Sequence, residues 1–154
     1  MSKSPPIDRH TYFNAVRDAL TAFQMIEESL KSSISTCYTY IRVKVRDQVP
    51  FAYSRDDVDN LPLGALLDIY RRLTPNEELV AALRALPRDR NYVAHQAFVQ
   101  EILLIDEPPE QLAAEADRIK AIANNAYAVL AMMIKEMNRL TSSISATLGH
   151  DNTG

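Results

Sequence analysis

Glycine occurs only three times in the 154-residue chain, at Gly64, Gly149 and Gly154, and tryptophan is absent. Such scarcity excludes a fold built on tight hairpins, whose favoured turns need residues at positive φ. Abundant Ala and Leu favour helices instead. The single cysteine, Cys37, excludes an internal disulfide and a cysteine-based zinc site. No apolar run approaches the ~20 residues that span a bilayer. Residues 1–7 are polar and Pro-rich and lack the apolar centre of a secretory signal. A cytoplasmic protein with no membrane attachment is therefore expected. A broad positive field is missing too: the net charge is −3, which argues against a surface coated for duplex DNA. Neither a phosphate-binding Gly loop nor a Gly-x-Ser-x-Gly elbow occurs. No histidine stands three residues after a glutamate, so the Glu-x-x-His pairs of a di-iron bundle are absent as well.

The composition is 47% hydrophobic and 24% charged, ordinary for one globular domain of this length. Apolar residues at Phe13, Val16, Leu20, Phe23, Ile26, Leu30, Ile34, Cys37 and Ile41 recur every three or four positions. This spacing predicts one long amphipathic helix from about Asp8. Residues 39–46 alternate like a strand but stay in helical phase, and a lone strand has no partner, so helix is expected there. Pro50 and the acids Asp56, Asp57 and Asp59 mark a surface connection. A short helix at about 62–73 carries Leu63, Leu66, Leu67 and Tyr70. Thr74-Pro75-Asn76-Glu77 has the form of a capping box with Thr74 as N-cap. The helix it opens carries Leu79, Ala82, Leu83 and Leu86. Pro87 separates it, as a break or only as a kink, from a further helix running to about Ile105, which 106–109 stops. From Glu110 a second long stripe runs through Leu112, Ala116, Ile119, Ala123, Ala126, Leu130, Met133, Met137, Leu140 and Ile144, with Gly149 as its expected cap. Amphipathic helices bury their faces only against one another. The expected fold is all-α: an antiparallel bundle of four to five helices over 8–148, two long helices bracketing shorter ones, with flexible tails at 1–7 and 149–154.

One stretch does not fit a buried helix. Residues 88–95, "RDRNYVAH", place Arg88, Arg90, Asn91 and His95 within eight positions. Residues 42–95 also hold nine of the 17 Lys and Arg, against eight acids. Any anion site is thus expected in the middle of the chain. Histidine titrates near neutral pH and moves protons. The planar guanidinium of arginine matches a phosphate, and asparagine holds a phosphate oxygen or orients the imidazole. Such a set has the means to cleave RNA without metal or cofactor: His95 takes the ribose 2′-OH proton and Arg90 steadies the charged phosphorane. The structural alternative is a half-buried His95 bonded to a carbonyl, with Asn91 holding a loop. Arg84 and Arg88 are weaker candidates for substrate contacts. Tyr38 and Tyr40 with Arg42, Lys44 and Arg46 offer a secondary nucleic-acid surface, but packed tyrosines at a solvated helix end are the simpler expectation.

Arg90-Asn91-x-x-x-His95 resembles the Arg-polar-x-x-x-His signature of HEPN domains, and the surrounding 61–98 is similar to bacterial HEPN-like proteins. The resemblance implies a four-to-five-helix bundle that pairs as a homodimer. It further implies a metal-independent endoribonuclease with a composite cleft at the dimer interface, in a toxin or defence setting with an antitoxin or regulatory protein as partner. Arg90, Asn91 and His95 would be its catalytic residues. The alternatives are a non-catalytic module that binds a protein partner, or a nucleotide-binding module.

Overall fold

The structure is a computed structural model and describes residues 9–102 and 108–151. It is an all-α helical bundle, with no strand among the described residues. Six helices appear among the described residues: α1 (Arg9–Val45), α2 (Asp56–Asp59), α3 (Leu63–Tyr70), α4 (Glu77–Leu83), α5 (Leu86–Ile102) and α6 (Pro109–Asp151). No described helix is long and apolar enough to cross a membrane. The chain divides into two compact units, Met1–Met25 with Ala85–Ala128, and Ile26–Arg84 with Val129–Gly154.

In the first unit, α1 buries Tyr12, Ala15, Val16, Ala19, Ala22 and Phe23. Leu20, expected in this stripe, is 36% exposed. The small residues Ala15, Ala19 and Ala22 carry the buried face instead, a shift that the large apolar residues alone did not reveal. α5 contributes Leu86 and Val93, and α6 contributes Leu112, Ala116, Ile119, Ala123 and Ala126. α5 and α6 are in contact within this unit. Tyr92 pins them together. Its hydroxyl donates to the Glu115 carboxylate, and the Arg118 guanidinium lies 4.0 Å from the centre of its ring.

In the second unit, Ile26, Leu30, Ile34 and Cys37 of α1 are buried, as are Val129, Leu130 and Met133 of α6. Here the long helices run parallel. Residues 28–33 lie across one groove from 133–138, and 35–43 lie across a second from Ile144 and Leu148. Numbers rise together on the two helices, and residues 46–108 intervene as the long crossover that a parallel pair needs. The helix of 39–46 forms as expected. Basic Arg42 and Lys44 in its last turn suit the negative end of the helix dipole. Behind it, the Tyr38 ring packs edge-on against Phe51 and Tyr53 at 5.7 and 4.7 Å. The Tyr53 and Ser35 hydroxyls are 2.6 Å apart. The tyrosine at the centre of the secondary surface is thus packed against aromatic neighbours. The acidic connection holds a one-turn helix, α2, because Val58 is buried and Arg55 bonds both Asp59 (2.7 Å) and Glu28 (3.2 Å).

Three helix ends differ from expectation. The α4 cap is Asn76, whose side chain accepts from the Leu79 N–H at 3.0 Å. Thr74 is diverted: its hydroxyl accepts from the Asn76 N–H at 3.1 Å and donates to Glu136 at 3.3 Å. Leu86, expected on α4, instead opens α5 with Pro87 in its first turn, where the missing N–H costs nothing, so the proline separates the two helices and kinks neither. Gly149 remains inside α6, which continues to Asp151. The expected α5 end at Ile105, the stop at 106 and 107, and the tails at 1–7 and 152–154 lie outside the described residues. Asn76→Ala is expected to lower stability by ~1–2 kcal/mol, the usual cost of a lost cap, read as a shift in the urea midpoint without a change of slope.

Candidate active site

Leu86 and Val93, both fully buried, stand two turns apart on α5 and fix which face looks inward. The opposite arc is exposed. At about 100° per residue, Arg88, Asn91 and His95 fall within about 60° of one another. Phe98 continues the same side and is 51% exposed. Arg90 is exposed as well, but stands about 140° from His95 around the helix. The motif thus occupies the solvent face of α5, while Tyr92 within it ties the helix to α6 through Glu115 and Arg118.

This arrangement brings Arg88, Asn91 and His95 to one side of the helix and leaves Arg90 at the edge of the exposed arc. A half-buried histidine, the structural alternative, is not what forms: His95 is exposed. A single α5 therefore offers an imidazole and a guanidinium at two borders of one surface. The two do not converge on one point along their shared helix. Arg84 belongs to the second unit. It lines a cavity together with Arg71 and Arg72, whose lining includes none of Arg88, Arg90, Asn91 and His95.

A polar centre that sequence reasoning missed lies in the second unit. Glu136 of α6 is 7% exposed and accepts from four donors. Arg139 Nη2 lies 2.7 Å from Oε1, and its Nε lies 3.1 Å from both oxygens. Thr74 Oγ1 donates to Oε1 at 3.3 Å, and Asn76 Nδ2 to Oε2 at 3.2 Å. The Arg139 hydrogen bonds, helped by Asn76 and Thr74, hold the Glu136 carboxyl below its ordinary range against the opposing effect of burial. Burial, with the Glu136 charge adding to it, pushes the Cys37 thiol up. Burial also pushes the Tyr70 phenol up to about 12. Cys37 therefore stays a protonated, inward-facing thiol rather than a nucleophile. The legible signal was Arg139 three residues after Glu136, with Glu136 itself three residues after the core position Met133.

No family model matches this chain, and no characterised protein or solved structure is significantly similar to it.

Proposed function

We propose that the chain is a metal-independent endoribonuclease of HEPN type that acts as a homodimer, with Arg90, Asn91 and His95 as its catalytic residues. The observation that carries this is that all three residues on α5 are exposed, Asn91 and His95 on its outer arc and Arg90 at the edge of that arc. A proton carrier has to reach its substrate, and a phosphate-stabilising cation has to reach the phosphate. Their separation of about 140° around one helix favours a site built from two copies, in which His95 of one chain and Arg90 of the other flank the same phosphate. Phe98, exposed beside His95, supplies apolar surface for such a pairing.

The reaction is a transesterification followed by release. Neutral His95 accepts the 2′-OH proton, the 2′-oxygen forms a bond to the adjacent phosphorus, and the bond from phosphorus to the 5′-oxygen breaks. Water gives a proton to that leaving oxygen, and the proton taken up by His95 passes to solvent. Arg90 offsets the charge that builds on the phosphorane, and Asn91 orients the nearby imidazole. Products are a 2′,3′-cyclic phosphate and a 5′-hydroxyl, so DNA is not a substrate. A toxin or defence role, with an antitoxin or regulatory protein as partner, follows from the family likeness alone.

Light scattering at micromolar concentration is expected to give about twice the chain mass of 17.3 kDa. A monomer across that range removes the two-copy site, and with it the means of bringing Arg90 and His95 to one phosphate.

A further inference from the structure

The second unit holds a feature that the α5 site does not use. A cavity of about 810 Å³ is bordered by Arg71, Arg72 and Arg84, with Glu77, Pro75 and Val80 among its other walls. Its size falls within the ~300–1,000 Å³ of ordinary small-molecule sites. Three guanidinium groups line it against one carboxylate. Arg71 leans on Asp68 at 3.4 Å, an ion pair more than half exposed on both sides. Among the described residues, Arg72 and Arg84 have no carboxylate within ion-pair distance. Arg71 and Arg84 stand at the C-terminal ends of α3 and α4, where helix dipoles favour cations. That accounts for two positive charges. It does not account for Arg72, or for all three bordering one cavity in a chain of net charge −3.

We propose that this cavity binds the phosphate groups of a nucleotide, free or within a single strand. Arg72 and Arg84 are its phosphate contacts, and Pro75 and Val80 form the apolar wall beside sugar and base. Arginine suits this role because its planar fork bonds two phosphate oxygens at once. The apolar wall favours an organic phosphate over the bare ion. The site does not depend on the Arg90–His95 reading, since no cleavage step enters it.

The test uses the full chain and a fluorescent single-stranded DNA of about 12 nucleotides, which has no 2′-OH and cannot be cut by the route above. Anisotropy is read in EDTA from about 50 to 200 mM salt, and ATP binding is measured in parallel by calorimetry. Each phosphate contact on a single strand contributes about −0.7 to the slope of log K against log salt. Arg72→Gln with Arg84→Gln should therefore flatten that slope by about 1.4 and weaken strand binding at least tenfold, with an unchanged helical signal. The pair Arg72→Lys with Arg84→Lys should restore the slope. ATP binding lost in the Gln variant, with strand binding untouched, supports the site and names the free nucleotide as its source. Equal binding of both probes to the parent chain and the Gln variant overturns the proposal, as does no binding of either probe at millimolar concentration. Displacement of the strand by polyglutamate as readily as by ATP overturns it in favour of an acidic peptide.

Discussion

Cleavage of single-stranded RNA is expected to fall by ~10²–10⁴-fold when His95 becomes alanine, the usual worth of one positioned acid–base group, while the fold stays intact. His95 is exposed, and substitutions at such positions away from caps and networks usually change stability by less than about 0.5 kcal/mol. Lost activity with an unchanged melting curve therefore reports on chemistry. Arg90→Ala is expected to cost ~10²–10³ in rate, as for loss of one electrostatic contact to a developing charge. Arg90→Lys should recover part of it, because the charge returns without the two-pronged geometry. Asn91→Ala is the mildest of the set. In the parent chain the rate should persist in EDTA. End-group analysis should find 2′,3′-cyclic phosphate. Mixing the His95→Ala and Arg90→Ala chains separates one-chain from two-chain sites: a shared cleft regains one intact half and partial activity. Undiminished cleavage by the His95 variant assigns the activity to another site or a contaminant, and an inactive parent chain on varied RNAs removes the nuclease reading.

The two long helices were legible because their apolar stripes hold phase over many turns. Ile26, Leu30, Ile34 and Cys37 are buried in α1, and Leu112, Ala116, Ile119, Ala123 and Ala126 in α6, as the periodicity requires. Direction was not legible, because an amphipathic stripe states which face is buried and not which way the neighbour runs. The parallel course of α1 and α6 in the second unit needed their paired grooves to be seen. Caps were misread where a tertiary partner competed: Thr74 has the chemistry of an N-cap, but Glu136, 62 positions away in sequence, takes its hydroxyl. The exposed motif on α5 stood out because polar residues interrupt a helix anchored by Leu86 and Val93. Its grouping with Arg84 rested only on nearness in sequence, whereas α4 and α5 are separate helices and Arg84 lies with Arg71 and Arg72.

Stability should depend most on Glu136. Replacing it with alanine is expected to lower the unfolding free energy by roughly 2–4 kcal/mol at neutral pH, a large part of the ~5–15 kcal/mol typical of a domain. The loss has two sources. Thr74 and Asn76 are half-buried and lose their acceptor, while Arg139 is 52% exposed and water partly replaces its partner. The two neutral donors therefore matter more than the ion pair, and a smaller loss of about 1–2 kcal/mol is expected for Glu136→Gln, which keeps an acceptor but not the charge. The pH dependence identifies the charge. The folded-state carboxyl titrates below the ordinary 4.5, so at acid pH the unfolded chain binds the extra proton first. The contribution is complete above the unfolded value and is lost as pH falls through the folded one. The gap between parent and Glu136→Gln should accordingly be widest near pH 7 and shrink steadily below about pH 4.5. Asn76→Asp supplies the opposite perturbation: it keeps the cap acceptor for Leu79 but sets a second carboxylate against Glu136. It should be less stable than Asn76→Ala at pH 7 and recover in acid, when one of the two carboxyls takes a proton. Urea unfolding at pH 7, 5 and 3 measures all five chains. A Glu136→Gln variant within 0.5 kcal/mol of the parent at pH 7, or a gap that stays constant down to pH 3, would show that the buried carboxylate is not what holds α4 to α6.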